Sequence, residues 1–190
     1  MHSRSEKRIP LWYASVAFFL LLLLGADEAL AKPRGVNWFD DKAAASAPGP
    51  VSVTINLTEQ RAYLYKGSRL IAVSKVSSGK PGYSTRPGNF RVLSKHPYHR
   101  SSVYGSYVDR RTGRVVRANV NTRKHRRPPG TYYRGAQMNN YIRFNGGIGL
   151  HASNNVPNYP ASHGCVRMPP HMAQKFFQYV RVGTPVKVTR

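Results

Sequence analysis

The sequence predicts a mainly β protein with one amphipathic helix near its carboxyl end. Its composition favours this class, because 16 Gly, 14 Pro and 12 Tyr among 190 residues are typical of a fold rich in loops and strands. Apolar and polar side chains alternate in the first regular segment, which is the period of a half-buried strand. A helical period of 3.6 residues follows residue 169. We expect one hydrophobic core, since domains typically hold about 100–200 residues.

At the amino end, residues 1–31 have the pattern of a secretory signal peptide. Basic residues precede an apolar run from Leu11 to Leu24, and Ala29 and Ala31 are the small residues that a signal peptidase reads. A membrane anchor is the alternative, but this run is shorter than the ~20 residues that cross a bilayer. We therefore expect cleavage after Ala31 and an exported protein, located in the periplasm or cell envelope.

Residues 32–50 are rich in Ala, Ser, Pro and Gly and show no apolar period, which predicts a flexible linker. The folded domain is then expected over residues 51–190. Its first strand is predicted from Val51 to Leu57, where apolar and polar residues alternate. Further strands are predicted at 62–65, 70–76 and 89–94.

The regular pattern fails from His96 to Arg134, where Gly, Pro, Tyr and Arg dominate. Between Arg110 and Arg134 there are nine basic residues and no acidic one. This composition predicts a long basic loop region, with a hairpin about Thr112-Gly113.

Regular structure returns in the last third of the domain. Short strands are predicted at 141–144 and 148–151, on either side of a Gly-Gly pair. A helix is predicted to begin at Pro169-Pro170, because proline is favoured in a first helical turn. Its apolar face is formed by Met172, Phe176, Phe177 and Val180. Gly183 and Pro185 end this helix, and a strand is predicted at 186–188.

The charge balance limits the chemistry of the protein. Thirty Lys and Arg oppose seven Asp and Glu, giving a formal net charge of +23. Outside residues 1–31 the acids are Asp40, Asp41, Glu59 and Asp109. Glycosidases, aspartic proteases and two-metal phosphotransferases need converging carboxylates, so these classes are excluded. The basic excess indicates anionic surroundings, such as wall polymer, lipid headgroups or nucleic acid.

The candidate chemistry centres on the single cysteine, Cys165, which has His163 and His151 upstream. A thiol reacts as its thiolate, so a nucleophilic cysteine needs a base close by. The pattern therefore fits acyl transfer, with nearby backbone N–H groups holding the oxyanion. Two alternatives are a buried structural cysteine and a zinc site formed by His151, His163 and Cys165. The scarcity of carboxylates disfavours zinc, because such sites commonly use one as base or outer-shell partner.

These residues also resemble a known family. His151 followed by Ser162-His163-Gly164-Cys165-Val166-Arg167 resembles the signature of the L,D-transpeptidase catalytic domain, the YkuD family. Three flanking blocks resemble further family segments in the same order, and the resemblance covers Val51 to Arg190. The blocks are Thr85-Arg86-Pro87-Gly88-Asn89-Phe90, Gly147-Ile148-Gly149-Leu150-His151 and Gly183-Thr184-Pro185-Val186. Arg86 departs from the family's Thr-Pro spacing, and the basic segment lies where relatives vary.

The resemblance implies a β-sandwich-like catalytic domain that cleaves the bond between the third residue and the D-Ala of a peptidoglycan tetrapeptide. Cys165 matches the family nucleophile and His151 its general base, which is oriented by the carbonyl of Ala152. Arg167 matches a position that helps to hold substrate. Positions of the pocket, the oxyanion hole and the orientation of the base are matched by His163, Gly164, Ala152 and Ser162. The resemblance implies no metal and no cofactor.

Several functions stay open at this point. The acyl group is passed to an amine, which gives a 3→3 cross-link or anchors an outer-membrane or wall-anchored protein. With water as the acceptor the protein is an L,D-carboxypeptidase or hydrolase. A third alternative is a non-catalytic cationic module that binds the cell wall. We expect peptidoglycan stem peptides as partners, an anionic wall or envelope surface bound through Arg110–Arg134, and no nucleic acid.

Overall fold

A computed structural model describes residues 35–190 of the protein. The predicted signal peptide lies outside these residues. Within them, no helix is both long and apolar enough to cross a membrane. The strands and helices, in chain order, are β1 (Trp38–Phe39), α1 (Asp41–Ser46), β2 (Val51–Asn56), β3 (Arg61–Lys66), β4 (Arg69–Lys75), β5 (Gly88–Arg91), β6 (Ser94–His96), β7 (Arg100–Asp109), β8 (Val115–Asn121), β9 (Thr131–Gln137), β10 (Tyr141–Asn145), β11 (Ile148–Ala152), β12 (Val166–Met168), α2 (Pro170–Tyr179) and β13 (Pro185–Thr189).

The predicted meander forms the centre of a six-stranded sheet with the order β1-β4-β3-β2-β13-β5. Strands β2, β3 and β4 are antiparallel neighbours, and β13 joins β2 in parallel. The alternation that predicted β2 is observed, since Val53 and Ile55 are buried between half-buried polar residues. The strand predicted at 89–94 is split into β5 and β6, which belong to different sheets.

The segment predicted as a flexible linker is structured from Trp38 to Ser46, so the prediction is corrected there. Strand β1 pairs with β4. The side chain of Asp40 accepts a hydrogen bond from the Ala43 N–H at 2.9 Å and starts helix α1. Ala43 and Ala44 are buried in the common core. The sequence showed no apolar period because the residues that pack here are small alanines rather than large aliphatic ones.

A four-stranded sheet with the order β12-β11-β10-β6 carries the second layer of the core. One of its faces is apolar and packs on helix α2, as the predicted amphipathic spacing requires. Met172 and Phe176 of α2 are buried in the same cluster as this face. The buried residues of the sheet in that cluster are Ile142, Phe144, Leu150, Val166 and Met168.

The segment predicted as a long basic loop is instead a three-stranded antiparallel sheet with the order β8-β7-β9. The expected hairpin joins β7 to β8, where Asp109 caps the turn by accepting from the N–H groups of Arg111 and Thr112. Strand β8 was missed because residues 115–119 are exposed on both faces and therefore show no alternation. The fold is thus mainly β, as predicted, but this basic region contains strands.

Candidate active site

The free face of the four-stranded sheet carries the candidate catalytic residues in two rows. In the parallel pair, His151 of β11 lies opposite Arg167 of β12. The residues just before them, Leu150 and Val166, point the other way into the buried core. The next residues back, Gly149 and Cys165, therefore lie on the same face as His151. The register therefore places the candidate nucleophile and base on adjacent strands, facing one cavity of about 800 Å³ that both residues line.

The loop before Cys165 is held by a buried segment that begins at Ser77. The backbones of Ser77 and Arg167 exchange two hydrogen bonds of 3.0 Å. The hydroxyl of Thr85 donates to the Gly164 carbonyl at 2.7 Å, so the first block of the resemblance directly supports the cysteine loop. Gly164 has a φ of +114°, which is unfavourable for other residues. The loop is thus fixed by backbone and hydroxyl contacts around the thiol.

Ser162 acts within this loop. Its hydroxyl donates a short hydrogen bond to the Cys165 carbonyl and accepts one from the Gly164 N–H at 3.1 Å. The N–H of Gly164 is therefore engaged inside the loop. The helix start at Pro170 is separated from Cys165 by strand β12.

The Cys165 side chain is partly accessible and donates to the Gly147 carbonyl at 3.6 Å. Burial raises the pKa of this thiol, while a hydrogen bond from the Gly149 backbone N–H and the charge of Arg167 lower it. Burial has the largest effect, so the resting group is a neutral thiol. The proton of that thiol is directed at a carbonyl and must move before the sulfur attacks.

His151 is 8% exposed, and its Nδ1 lies 2.8 Å from the Ala152 carbonyl oxygen. A carbonyl only accepts, so Nδ1 carries the proton and Nε2 has the free lone pair. Burial lowers the pKa of His151 to about 4, and the nearby charges of Arg167 and His99 add to this lowering. At neutral pH the imidazole is therefore an uncharged base with a fixed tautomer, as the family resemblance implied for Ala152.

His163 packs between two tyrosines. Its ring is stacked on Tyr104 of β7 at 4.3 Å and meets Tyr83 edge-on at 4.7 Å. Burial lowers the pKa of His163, as do the charges of Lys80 and Arg167. The histidine thus joins the cysteine loop to the three-stranded sheet. Among residues 35–190, no three His, Cys, Asp or Glu side chains are grouped as metal ligands.

The cavity is lined by basic and neutral side chains. Arg123, Arg143 and Arg167 lie in its wall, and none of the four carboxylates in the described part of the chain does. Those carboxylates have structural partners elsewhere; Asp41, for example, pairs with Lys175 at 2.8 Å. The site is therefore suited to an anionic ligand.

Sequence reasoning missed the wall formed by His96, His99 and Tyr141. The rings of His99 and Tyr141 are stacked at 4.5 Å, and the hydroxyl of Tyr141 donates to the Gly147 carbonyl at 2.8 Å. Gly147 thus accepts from both Tyr141 and Cys165. No spacing in the sequence connects these two histidines to residue 141. Only the β6–β10 pairing does so.

The comparisons with known proteins agree with this geometry. Residues 50–188 match the YkuD family, the L,D-transpeptidase catalytic domain. No curated protein matches the chain. An L,D-transpeptidase from Mycobacterium smegmatis has a similar structure, with 22% identity, a TM-score of 0.55, and coverage of 74% of this chain and 58% of that one. An L,D-transpeptidase from Stackebrandtia nassauensis is also similar, with 22% identity and a TM-score of 0.55. This match covers 76% of this chain and 57% of that one.

A third similar structure is LdtMt1 in complex with imipenem, with 20% identity and a TM-score of 0.54. That match covers 73% of this chain and 58% of that one. The chain thus spans less than two thirds of the length of these structures, and at such identities they establish the fold alone. The family itself follows from the match over residues 50–188. The chain belongs to the YkuD family of L,D-transpeptidase catalytic domains.

Proposed function

We propose that the protein is an exported peptidoglycan L,D-transpeptidase that uses Cys165 as its nucleophile. The observation that carries this proposal is the pairing of β11 with β12, which puts Cys165 and His151 on one free face and in one cavity. The hydrogen bond from His151 Nδ1 to the Ala152 carbonyl supports the assignment of His151 as the base. Family membership supports the choice of stem peptides as substrates.

In the first half-reaction, the Cys165 proton leaves the Gly147 carbonyl and is taken by His151 Nε2. The sulfur attacks the carbonyl carbon of the third stem residue, and the resulting oxyanion is held by backbone N–H groups near Cys165. When the C–N bond breaks, the proton on Nε2 passes to the departing D-Ala nitrogen. The products are free D-Ala and a thioester on Cys165, and His151 is neutral again.

In the second half-reaction, an acceptor amine attacks the thioester carbon and gives its proton to His151 Nε2. The C–S bond breaks, the sulfur recovers the proton, and a new amide is released. A carboxylate partner is not needed, because the Ala152 carbonyl already fixes the tautomer of the base. The scarcity of acids is therefore compatible with this chemistry.

The test incubates the full-length chain with a disaccharide tetrapeptide and follows the products by mass spectrometry. We expect a dimer whose mass equals two monomers less one D-Ala, and no product with Cys165→Ala. Tripeptide alone would identify water as the acceptor, and the protein would be an L,D-carboxypeptidase. Unchanged tetrapeptide with both proteins would favour the cationic binding module.

Imipenem provides a second test that does not depend on the acceptor. LdtMt1, which has a similar fold, is described in complex with this β-lactam. A nucleophilic thiol opens the lactam ring and retains the acyl group, so we expect a covalent adduct on Cys165. An adduct of equal yield on Cys165→Ala would contradict the assigned nucleophile.

The three-stranded sheet supports a further part of the proposal, attachment to an anionic wall or envelope surface. All nine basic residues from position 110 to position 134 are exposed, including Arg114 in the turn before β8 and Arg117 of β8. The acid in this region, Asp109, is engaged in capping the β7–β8 turn. The exposed charges are therefore free to face a polyanion, and export would make this polyanion wall or envelope material rather than nucleic acid.

A further inference from the structure

We propose that Arg143, held in place by Ser94, forms a carboxylate-binding subsite for the donor peptide in the cavity of Cys165. The inference rests on the proposed function for the identity of the donor. It is carried by the strand register, by the hydrogen bonds of Arg143 and by the charge of the cavity wall.

The register puts Arg143 in the same row as the thiol. Arg143 of β10 pairs with Gly149, and the β11–β12 register continues from Leu150↔Val166 to Gly149 and Cys165. Two strand spacings, or about 10 Å between backbones, therefore separate Arg143 from Cys165. Gly149 has no side chain, and the ring of Tyr141 packs over its Cα, so a ligand extends from Cys165 to Arg143 across the Tyr141 ring.

Hydrogen bonds fix the near end of the guanidinium. Arg143 Nε donates to the Ser94 hydroxyl at 3.0 Å, across the pair that β6 and β10 form. The same hydroxyl lies 3.2 Å from His96 Nε2, which orients it from the other side. Within residues 35–190 no carboxylate pairs with Arg143, so its two terminal NH₂ groups remain available. A half-buried guanidinium held at Nε is preorganised to bind a ligand through those groups.

The chemistry of the wall selects a carboxylate. Arginine binds planar carboxylates through two parallel hydrogen bonds, a geometry that lysine does not reproduce. The stacked rings of His99 and Tyr141 form the adjoining wall of the cavity. A donor peptide offers two sources of this group, the carboxylate of the departing D-Ala and a side-chain carboxylate on the third residue when that residue is a diamino dicarboxylic acid.

The experiment measures binding in the Cys165→Ala chain, so that turnover plays no part. Its dissociation constant is determined for four tetrapeptides that are free, amidated at the carboxyl terminus, amidated at the third side chain, or amidated at both. The measurements are repeated with Arg143→Gln and with Arg143→Lys added. Arg69→Gln serves as the matched control, because Arg69 is an exposed strand arginine outside the cavity.

We expect Arg143→Gln to weaken binding of the free peptide by roughly tenfold to a hundredfold, the range of a hydrogen bond to a charged group. The loss should shrink to within about twofold for one of the two singly amidated peptides, in which the recognised carboxylate is blocked, and for the doubly amidated peptide. That singly amidated peptide identifies the source of the carboxylate. Arg143→Lys should recover part of the affinity, and Arg69→Gln should change nothing.

An equal loss with all four peptides would overturn the subsite, because it would indicate a general distortion of the cavity. An unchanged affinity in Arg143→Gln, or no binding of any of the four peptides, would overturn it as well. Release of D-Ala by the unmodified chain is measured in parallel. Turnover without carboxylate-dependent binding would refute the subsite alone, while carboxylate-dependent binding without turnover would refute the proposed function alone.

Discussion

The four-stranded and three-stranded sheets of this domain differ in how their faces are used. In the four-stranded sheet, one face is buried on α2 and the other carries Cys165 and His151. In the three-stranded sheet, β8 is exposed on both faces from Val115 to Asn119, and its Arg117 is one of the exposed basic residues of this region. Catalysis needs groups fixed to a fraction of an ångström, whereas long-range attraction of a polyanion does not. The packed sheet is thus suited to the chemistry, and the exposed sheet to attraction.

The two sheets meet at the stack of Tyr104 on His163. Through this contact, β7 touches the loop that holds the thiol, and Ser101 to Tyr104 also line the cavity. The basic sheet is therefore part of the wall of the site as well as a charged surface. The predictions below test how far the two roles can be separated.

The largest effect is expected from the base on the packed sheet. His151→Asn should lower the rate of imipenem acylation by about 100- to 10,000-fold, because the general base is lost. His171→Asn, an exposed position on α2, should leave this rate unchanged. Adduct formation is followed by mass spectrometry over time. A rate within tenfold of the unmodified chain would remove His151 from the mechanism.

The next largest effect is expected from core packing, because a substitution in the packed sheet should cost more stability than one in the exposed sheet. Met168→Ala on the buried face of β12 should lower the free energy of unfolding by about 2–5 kcal/mol, since it leaves a cavity. Val116→Ala on β8 should change it by less than about 0.5 kcal/mol, because Val116 is 53% exposed. Urea denaturation measures both variants. If both variants lost the same free energy of unfolding, the exposed face of β8 would contribute to packing, which would contradict this prediction.

Acid should destabilise the protein by protonating His151, which is buried on the packed sheet. His151 stays neutral down to a pKa of about 4 in the folded chain, while an unfolded histidine binds a proton near 6.5. The unfolded state therefore gains protons first, and about 3 kcal/mol of stability should be lost between pH 6.5 and pH 4. His99 and His163 act in the same direction, because burial lowers the pKa of each. Urea denaturation of His151→Asn between pH 6.5 and pH 4 should show a smaller loss of stability than the unmodified chain. An identical loss would contradict the lowered pKa of His151.

The smallest effect is expected from the exposed sheet. The double substitution Arg114→Gln and Arg117→Gln should weaken sedimentation with isolated peptidoglycan by several-fold at low salt, and by little at high salt, where surface charges are screened. Imipenem acylation should be unchanged, since neither residue lines the cavity. A parallel loss of acylation would show that the charged surface and the site do not act separately.

Much of the fold could be predicted because alternation and turn residues are local signals. Strands β2, β3 and β4, the β10–β11 pair and helix α2 all have a regular apolar period and were predicted. The three-stranded sheet could not be predicted in the same way, because β8 buries only Val120 and so shows no apolar period. Helix α1 was missed for a related reason, as its buried residues are alanines.

The candidate site also contains residues that the sequence could predict and residues that it could not. Cys165, His151 and Arg167 lie in one short motif, so a family resemblance was enough to identify them. Arg143 lies on β10 and His99 in the connection between β6 and β7, and only the β6–β10 pairing brings these distant segments together at the cavity. Residues brought together by pairing of distant strands leave no spacing in the sequence.

The Gly147 carbonyl that accepts from Cys165 has a consequence for the chemical durability of the site. Peroxides convert cysteine to sulfenic acid through the thiolate, and a second thiol is what commonly repairs that product. This chain has a single cysteine and so has no resolving partner of its own. Burial raises the pKa of Cys165 and its proton is directed at the Gly147 carbonyl, so the resting sulfur has little of the thiolate character through which peroxides act.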